Sequence, residues 1–241
     1  MSSILVTGGT GTLGRPTVAR LRDADHQVRV LSRKPGPARV VGDLTTGEGL
    51  PAAVDGSDVI VHLATSQGRR DVPQMRNLLK AAAGVQHLVV MSIAGVDRIP
   101  LAYYRYKLEA ERLVAESGVP YTILRATQFH NLVDRVLTAQ RFLPMILAPA
   151  ITLQPIAVED VAVRLAELVD EPPLNGRAAD IGGPERQPVP ALARIWKQAR
   201  SSRRPVLPLR LTGKTFRAYA NGAAIVDGPA YGRITFAEHL G

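Results

Sequence analysis

The chain opens on a short apolar run, Ile4-Leu5-Val6-Thr7, whose composition predicts a buried strand. Arg15 to Leu21 then carries its apolar residues at helical spacing, with Pro16 in the first turn, where a missing N–H costs little. Further strands are predicted over Gln27–Ser32, Ala38–Leu44, Asp58–Ala64, Gln86–Ser92 and Tyr121–Arg125. Helices are predicted over Asp71–Ala83, with Leu78 and Leu79 facing inward, and over Tyr103–Ser117, closed by Gly118 and followed by Pro120. The strands read as near-continuous apolar runs, as a parallel sheet covered on both faces requires. Strand and helix in alternation therefore predict an α/β fold, a doubly wound parallel sheet. Beyond Leu132 the pattern loosens. Leu143 to Ala150 is apolar but broken by proline, a helix opens at Val158-Glu159-Asp160-Val161, and Pro172-Pro173 and Gly182-Gly183-Pro184 punctuate the chain after it.

Between the first strand and the first helix lie Gly8, Thr10, Gly11, Thr12, Leu13 and Gly14, a G-x-x-G-x-x-G spacing. Such a loop lets the backbone approach a pyrophosphate, and the helix N-terminus offers free N–H groups and partial positive charge. The fold class is thus a Rossmann sheet, residues 1–150, with a small C-terminal substrate-covering region, residues 151–241, in the same structural unit. The end of the second strand selects the cofactor. An NAD enzyme usually places Asp or Glu there, whereas this chain has Ser32, Arg33 and Lys34. A hydroxyl, a guanidinium and an ammonium would hold a 2′-phosphate that a carboxylate would repel, so NADP(H) is favoured. The bland alternative makes Arg33 and Lys34 solvated loop charges.

Thr7-Gly8-Gly9-Thr10-Gly11 resembles the short-chain dehydrogenase/reductase superfamily, and most of all its atypical, NmrA-like branch. Gly42-Asp43-Leu44, His62-Leu63-Ala64-Thr65, Met91-Ser92, Tyr103 to Lys107, Thr122 to Phe129, Glu159 to Ala162 and Ile181 to Pro184 extend the likeness along nearly the whole chain. The resemblance implies that Asp43 and Leu44 line the adenine. It places Leu63, Ala64 and Thr65 beside the cofactor ribose, and Thr127 to Phe129 near the nicotinamide.

Tyr103 and Lys107 form Y-x-x-x-K, and on a helix residues i and i+4 share a face. In the superfamily this pairing implies catalysis. The lysine lowers the tyrosine pKa and holds the nicotinamide ribose, the tyrosine passes a proton to a carbonyl receiving hydride, and Ser92 orients the substrate oxygen. Two plainer readings stand beside it: Tyr103 and Tyr104 as aromatic anchors at a helix start, and Lys107 paired with Glu111 on a solvated face. His130 and Asn131 follow the sixth strand, where open sheets bind ligands, and are candidate substrate contacts. His62 reads as a satisfied core histidine and Arg125 as a buried ion-pair partner. Phe142 with Leu143 to Ala150 suggests an apolar pocket wall, suited to an aromatic or quinone-like substrate.

Composition narrows the partners. With 241 residues and no cysteine, disulfides, thiol nucleophiles and thiolate metal sites are excluded, and five scattered histidines predict no metal. No apolar run is long enough to span a membrane, and the first strand begins too early for a signal peptide, so a cytoplasmic protein is expected. The net charge of +9 is local: nine basic residues and no acid lie between Arg186 and Arg217, leaving 21 lysines and arginines to balance 21 acids elsewhere. No nucleic-acid motif accompanies them, so a solvated rim beside an anionic ligand is expected rather than nucleic-acid binding. The oligomeric state is left open. The function expected is an NADP(H)-dependent oxidoreductase acting on a small, mostly apolar carbonyl, quinone or enone. The alternatives are an NADP-binding redox sensor of the NmrA type and, more distantly, a nucleotide-sugar epimerase or dehydratase.

Overall fold

A computed structural model describes residues 1–241. The chain forms two compact units. The first comprises residues 1–92, 102–125 and 161–179; the second comprises residues 93–101, 126–160 and 180–241.

The first unit is built on a seven-stranded sheet. Its strands are β1 (Ser3–Thr7), β2 (Gln27–Ser32), β3 (Arg39–Val41), β4 (Val59–His62), β5 (His87–Ile93), β6 (Tyr121–Ala126) and β9 (Gly176–Arg177), in the order β3-β2-β1-β4-β5-β6-β9. β1 pairs in parallel with β2, Ile4 opposite Val28, and with β4, Leu5 opposite Ile60. This is the doubly wound order expected from the apolar runs. The connecting helices are α1 (Gly14–Asp23), α2 (Leu50–Val54), α3 (Asp71–Ala81), α4 (Ala102–Ala115) and α6 (Val158–Asp170). Leu5, Ile60, Leu78, Leu88 and Val114 are wholly buried in one core cluster. Leu79, expected inward with Leu78, is only partly buried against that cluster. Residues three and four apart share the inward stripe, so Met75 and Leu78 take its centre and Leu79 its flank. The third strand is shorter than its apolar run. Gly42 still donates to the Ser32 carbonyl, after which the chain turns through Asp43 to Gly47.

The second unit holds β7 (Ile146–Pro149) paired in parallel with β11 (Val206–Leu209), and β8 (Thr152–Leu153) paired with β10 (Gln187–Pro188). Its helices are α5 (His130–Ala139), α7 (Val189–Ala199), α8 (Lys214–Ala220) and α9 (Phe236–Leu240). Ile146, Ala148, Leu192, Trp196 and Phe236 form its core. The apolar wall expected from Phe142 to Ala150 divides: Ile146 and Ala148 point into this core, whereas Phe142 is 84% exposed, with the Arg141 guanidinium over its ring. The Trp196 indole N–H donates to Asp134 at 2.7 Å. In the basic segment, Arg200 pairs with Asp134, and Arg204 donates to the Gln140 carbonyl. No helix is long and apolar enough to cross a membrane.

Loop and helix meet most tightly at Gly14, where a Cβ would lie 2.1 Å from the Gly8 carbonyl oxygen. That contact has no room to relax, because both partners are backbone. Gly14→Ala should destabilise the protein by about 2–3 kcal/mol in urea unfolding. Gly176→Ala, whose Cβ would meet nothing closer than 3.6 Å, should cost under about 1 kcal/mol.

Candidate active site

At the carboxyl end of β1 the chain turns through Gly8 (φ +71°), where a Cβ would come within 2.7 Å of the Ala64 nitrogen. The Gly11 N–H closes the turn on the Gly8 carbonyl at 2.9 Å. The loop tip, Thr10 to Thr12, is exposed. The N–H groups of Thr12, Leu13 and Gly14 find no acceptor within the protein. Three unspent donors at a helix N-terminus fit a bound pyrophosphate.

Beside the loop, β2 ends at Ser32, whose hydroxyl accepts the Lys34 N–H at 3.1 Å. Arg33 and Lys34 extend into solvent. Asp43 caps its own turn by accepting the Thr45 N–H at 2.7 Å, and Leu44 is buried in the core. At the end of β4 the Leu63 N–H donates to the Thr7 carbonyl and the Ala64 N–H to the Thr7 hydroxyl. The Thr7 hydroxyl also meets His62 Nδ1 at 2.8 Å. His62 is thus a satisfied core histidine. Burial, with the Lys107 charge adding, lowers its pKa to about 3.

Lys107 is buried, and its Nζ donates to the Met91 carbonyl at 3.3 Å. Burial lowers its pKa, and Asp71 and Glu111 oppose that shift. Lys107 and Ser92 line one small cavity together with His62, Asp71 and Glu111; Tyr103 lies outside this lining. Ser92 donates its hydroxyl to Glu111. Glu111 in turn receives Arg125 through both carboxylate oxygens, Nε to Oε1 at 3.0 Å and Nη2 to Oε2 at 2.6 Å. Arg125 is therefore the buried ion-pair partner expected. Glu111 does not sit on a solvated face, because it is 6% exposed.

Tyr103 is half-buried, and its hydroxyl meets Thr65 Oγ1 at 3.1 Å. The expected lowering of its pKa by the lysine is reversed. Burial pushes the phenol up to about 12, Asp71 and Tyr104 add to the shift, and only the Thr65 hydroxyl opposes it. The residue that the motif reading missed is Asp71, 5% exposed in the first turn of α3. Its Oδ2 accepts Thr65 Oγ1 at 2.6 Å, and its Oδ1 accepts the Ser66 N–H at 2.6 Å and the Ser66 hydroxyl at 2.5 Å. An acid opening the helix six residues after Thr65 is the signal that could have found it.

In the second unit, the Thr127 N–H donates to the Ile181 carbonyl at 3.0 Å and its hydroxyl to the Gln154 carbonyl at 2.5 Å. Phe129 is half-buried and bridges to Ile156. His130 is 1% exposed, with Nε2 2.9 Å from the Ile234 carbonyl and its ring against Phe236 and His239. Burial lowers its pKa. Both amide atoms of Gln128, His130 Nδ1 and Asn131 Oδ1 are buried without a partner.

A Rossmann sheet with a glycine-lined helix N-terminus defines a dinucleotide-binding protein. Residues 8–172 match the NAD(P)H-binding family, and the chain belongs to it. It is 26% identical to the photosystem II assembly factor Ycf39 of Trieres chinensis over 99% of this chain and 82% of that protein. It is 29% identical to quinone oxidoreductase 2 of Escherichia coli, over 51% of this chain and 47% of that protein. In that match the chain spans about half of the relative's length. The solved NADPH complex of an Escherichia coli NADPH-dependent quinone oxidoreductase superposes with a TM-score of 0.83 at 20% identity, covering 98% of both chains. These likenesses agree with the Rossmann fold and the NAD(P)H binding expected from the sequence.

The neutral His62 makes stability depend on pH. Its folded pKa lies below the unfolded value of 6.5, so the unfolded chain binds the extra proton and stability falls as pH drops from about 6.5 towards about 3. At pH 5 the loss from His62 should be about 2 kcal/mol relative to pH 7. Urea titrations at the two pH values measure the loss, and the imidazole nitrogen shifts of His62 should stay those of a neutral ring at pH 5.

Proposed function

We propose that this protein is an NADP(H)-dependent oxidoreductase whose substrate is a small, mostly apolar quinone, within a wider class of carbonyls and enones. The observation that carries the cofactor preference is the end of β2, where Ser32, Arg33 and Lys34 stand with no carboxylate beside the three unspent N–H groups of the glycine loop. In this reading Gly8, Thr10, Gly11, Thr12, Leu13 and Gly14 hold the pyrophosphate, and Arg33 and Lys34 the 2′-phosphate. Asp43 and Leu44 hold the adenine, and Leu63, Ala64 and Thr65 flank the ribose. Lys107 anchors the nicotinamide ribose, Thr127 and Phe129 contact the nicotinamide, and His130 and Asn131 are the weaker substrate candidates.

The cofactor, when bound, supplies a hydride. Quinone, NADPH and one proton give hydroquinone and NADP⁺. The state of Tyr103 favours a quinone over a simple ketone. A ketone needs a proton donor for its developing alkoxide, and burial makes the Tyr103 phenol, pushed up to about 12, a weaker acid than an ordinary tyrosine. A quinone oxygen develops little basicity and draws its proton from water. The quinone and azo reductases among the relatives, named as quinone oxidoreductase 2 and NAD(P)H azoreductase, support the same reading.

Arg33→Ala should raise the Kd for NADPH about tenfold, the worth of one charge-assisted phosphate contact, and leave NADH binding unchanged. Equal loss for both cofactors, or none, would remove the 2′-phosphate role. NADPH oxidation should proceed with benzoquinones and naphthoquinones and lag with aromatic ketones; a reversed order would overturn the substrate assignment.

A further inference from the structure

We propose that Asp71 is a positioning residue. Through Thr65 it turns the Tyr103 hydroxyl proton inward, so that Tyr103 offers a ligand only oxygen lone pairs. The assignment of Tyr103 to the substrate side rests on the reductase reading above; the direction of the hydrogen-bond chain does not.

Counting protons fixes that direction. Thr65 Oγ1 has three partners: Asp71 Oδ2 at 2.6 Å, the Gln67 N–H at 3.0 Å and the Tyr103 hydroxyl at 3.1 Å. A hydroxyl carries one proton and two lone pairs. The Asp71 carboxylate can only accept, so the Thr65 proton goes to it. The Gln67 N–H can only donate and takes one lone pair. The remaining lone pair faces Tyr103, and Tyr103 must be the donor. Each bond in the chain fixes the next, and the fixed end is Asp71, which also holds Ser66 through its N–H and hydroxyl. Gln67 is held at φ +54°, so the turn that aims its N–H at Thr65 is built into the loop. The groups facing this chain are the charged Lys107 and Glu111 from α4 and the neutral His62 from β4, all lining the cavity with Asp71. Arg125 and Ser92 already occupy Glu111. Asp71 is therefore the carboxylate left to orient Thr65.

The chemical consequence is a preference at Tyr103 for a ligand group that donates, such as the hydroxyl of a hydroquinone, over one that accepts, such as a ketone oxygen. Tyr103 thus neither protonates a ketone nor donates to a quinone oxygen, and it can accept from the hydroxyl of the reduced product.

Two measurements on the intact protein test the chain without turnover, so they stand or fall apart from the reductase reading. Neutron diffraction should place a deuteron on Tyr103 pointing at Thr65 Oγ1 and the Thr65 deuteron pointing at Asp71. A Thr65 deuteron pointing at Tyr103 would overturn the proposal. In solution, 3,5-difluorotyrosine at position 103 brings the titration below the alkaline unfolding range, where fluorine NMR can follow it. Asp71→Asn should lower its midpoint by about one unit, because the amide can donate to Thr65 and free the Thr65 proton for the phenolate. In a Thr65→Val background the same substitution should shift it by less than about half as much. Equal shifts in both backgrounds would reduce Asp71 to a through-space charge, and no shift in either would remove it from the site. Should Asp71→Asn not fold, the neutron result on the unmodified chain decides alone.

Discussion

The first unit depends on how one buried cation is accommodated. Lys107 sits on α4, 9% exposed, with one neutral acceptor, the Met91 carbonyl, within reach of its ammonium. An ammonium in such a place is tolerated only where negative charge is supplied nearby. Two carboxylates line the same cavity, but they are not equivalent. Glu111 is matched by Arg125, a two-point pair whose removal on one side alone would leave the other charge stranded. Asp71 has no cationic hydrogen-bond partner and is surrounded by hydroxyls and an N–H. The net balance for Lys107 thus falls on Asp71, and with it the shape of the loop after β4.

The same constraint explains how His62 can lie in the middle of the sheet. A protonated imidazole there would add a second positive charge beside Lys107, so the ring stays neutral and is satisfied by the Thr7 hydroxyl. Thr7 also receives the Ala64 N–H, and Ala64 is the residue against which Gly8 packs. The glycine loop and the polar cavity are therefore joined through one threonine side chain on β1.

The sheet and the glycine loop were legible because both are written in local pattern. Six apolar runs matched six strands, and Gly8 and Gly14 stand where backbone meets backbone with no room for a Cβ. The site was legible only in part. The spacing of Tyr103 and Lys107 identified a shared helix face, yet burial and hydrogen-bond partners decide what each side chain does, and those come from residues distant in sequence. Thr65 is 38 positions from Tyr103, and Glu111 is 19 from Ser92. Neither contact has a periodicity to read. The second unit was harder still. α5 begins at His130 and α7 at Val189-Pro190, but proline-broken strands of two to four residues separate them, and such strands are held by tertiary packing rather than by propensity.

Trp196 is the chain's single tryptophan, and it is buried in the second unit's core with its indole tied to Asp134. Its emission therefore reports on that core alone. A thermal or denaturant transition followed by intrinsic fluorescence describes the second unit, while far-ultraviolet dichroism is weighted towards the seven-stranded sheet and its helices. Coincidence or separation of the two curves becomes a direct reading of whether this chain loses its two units together.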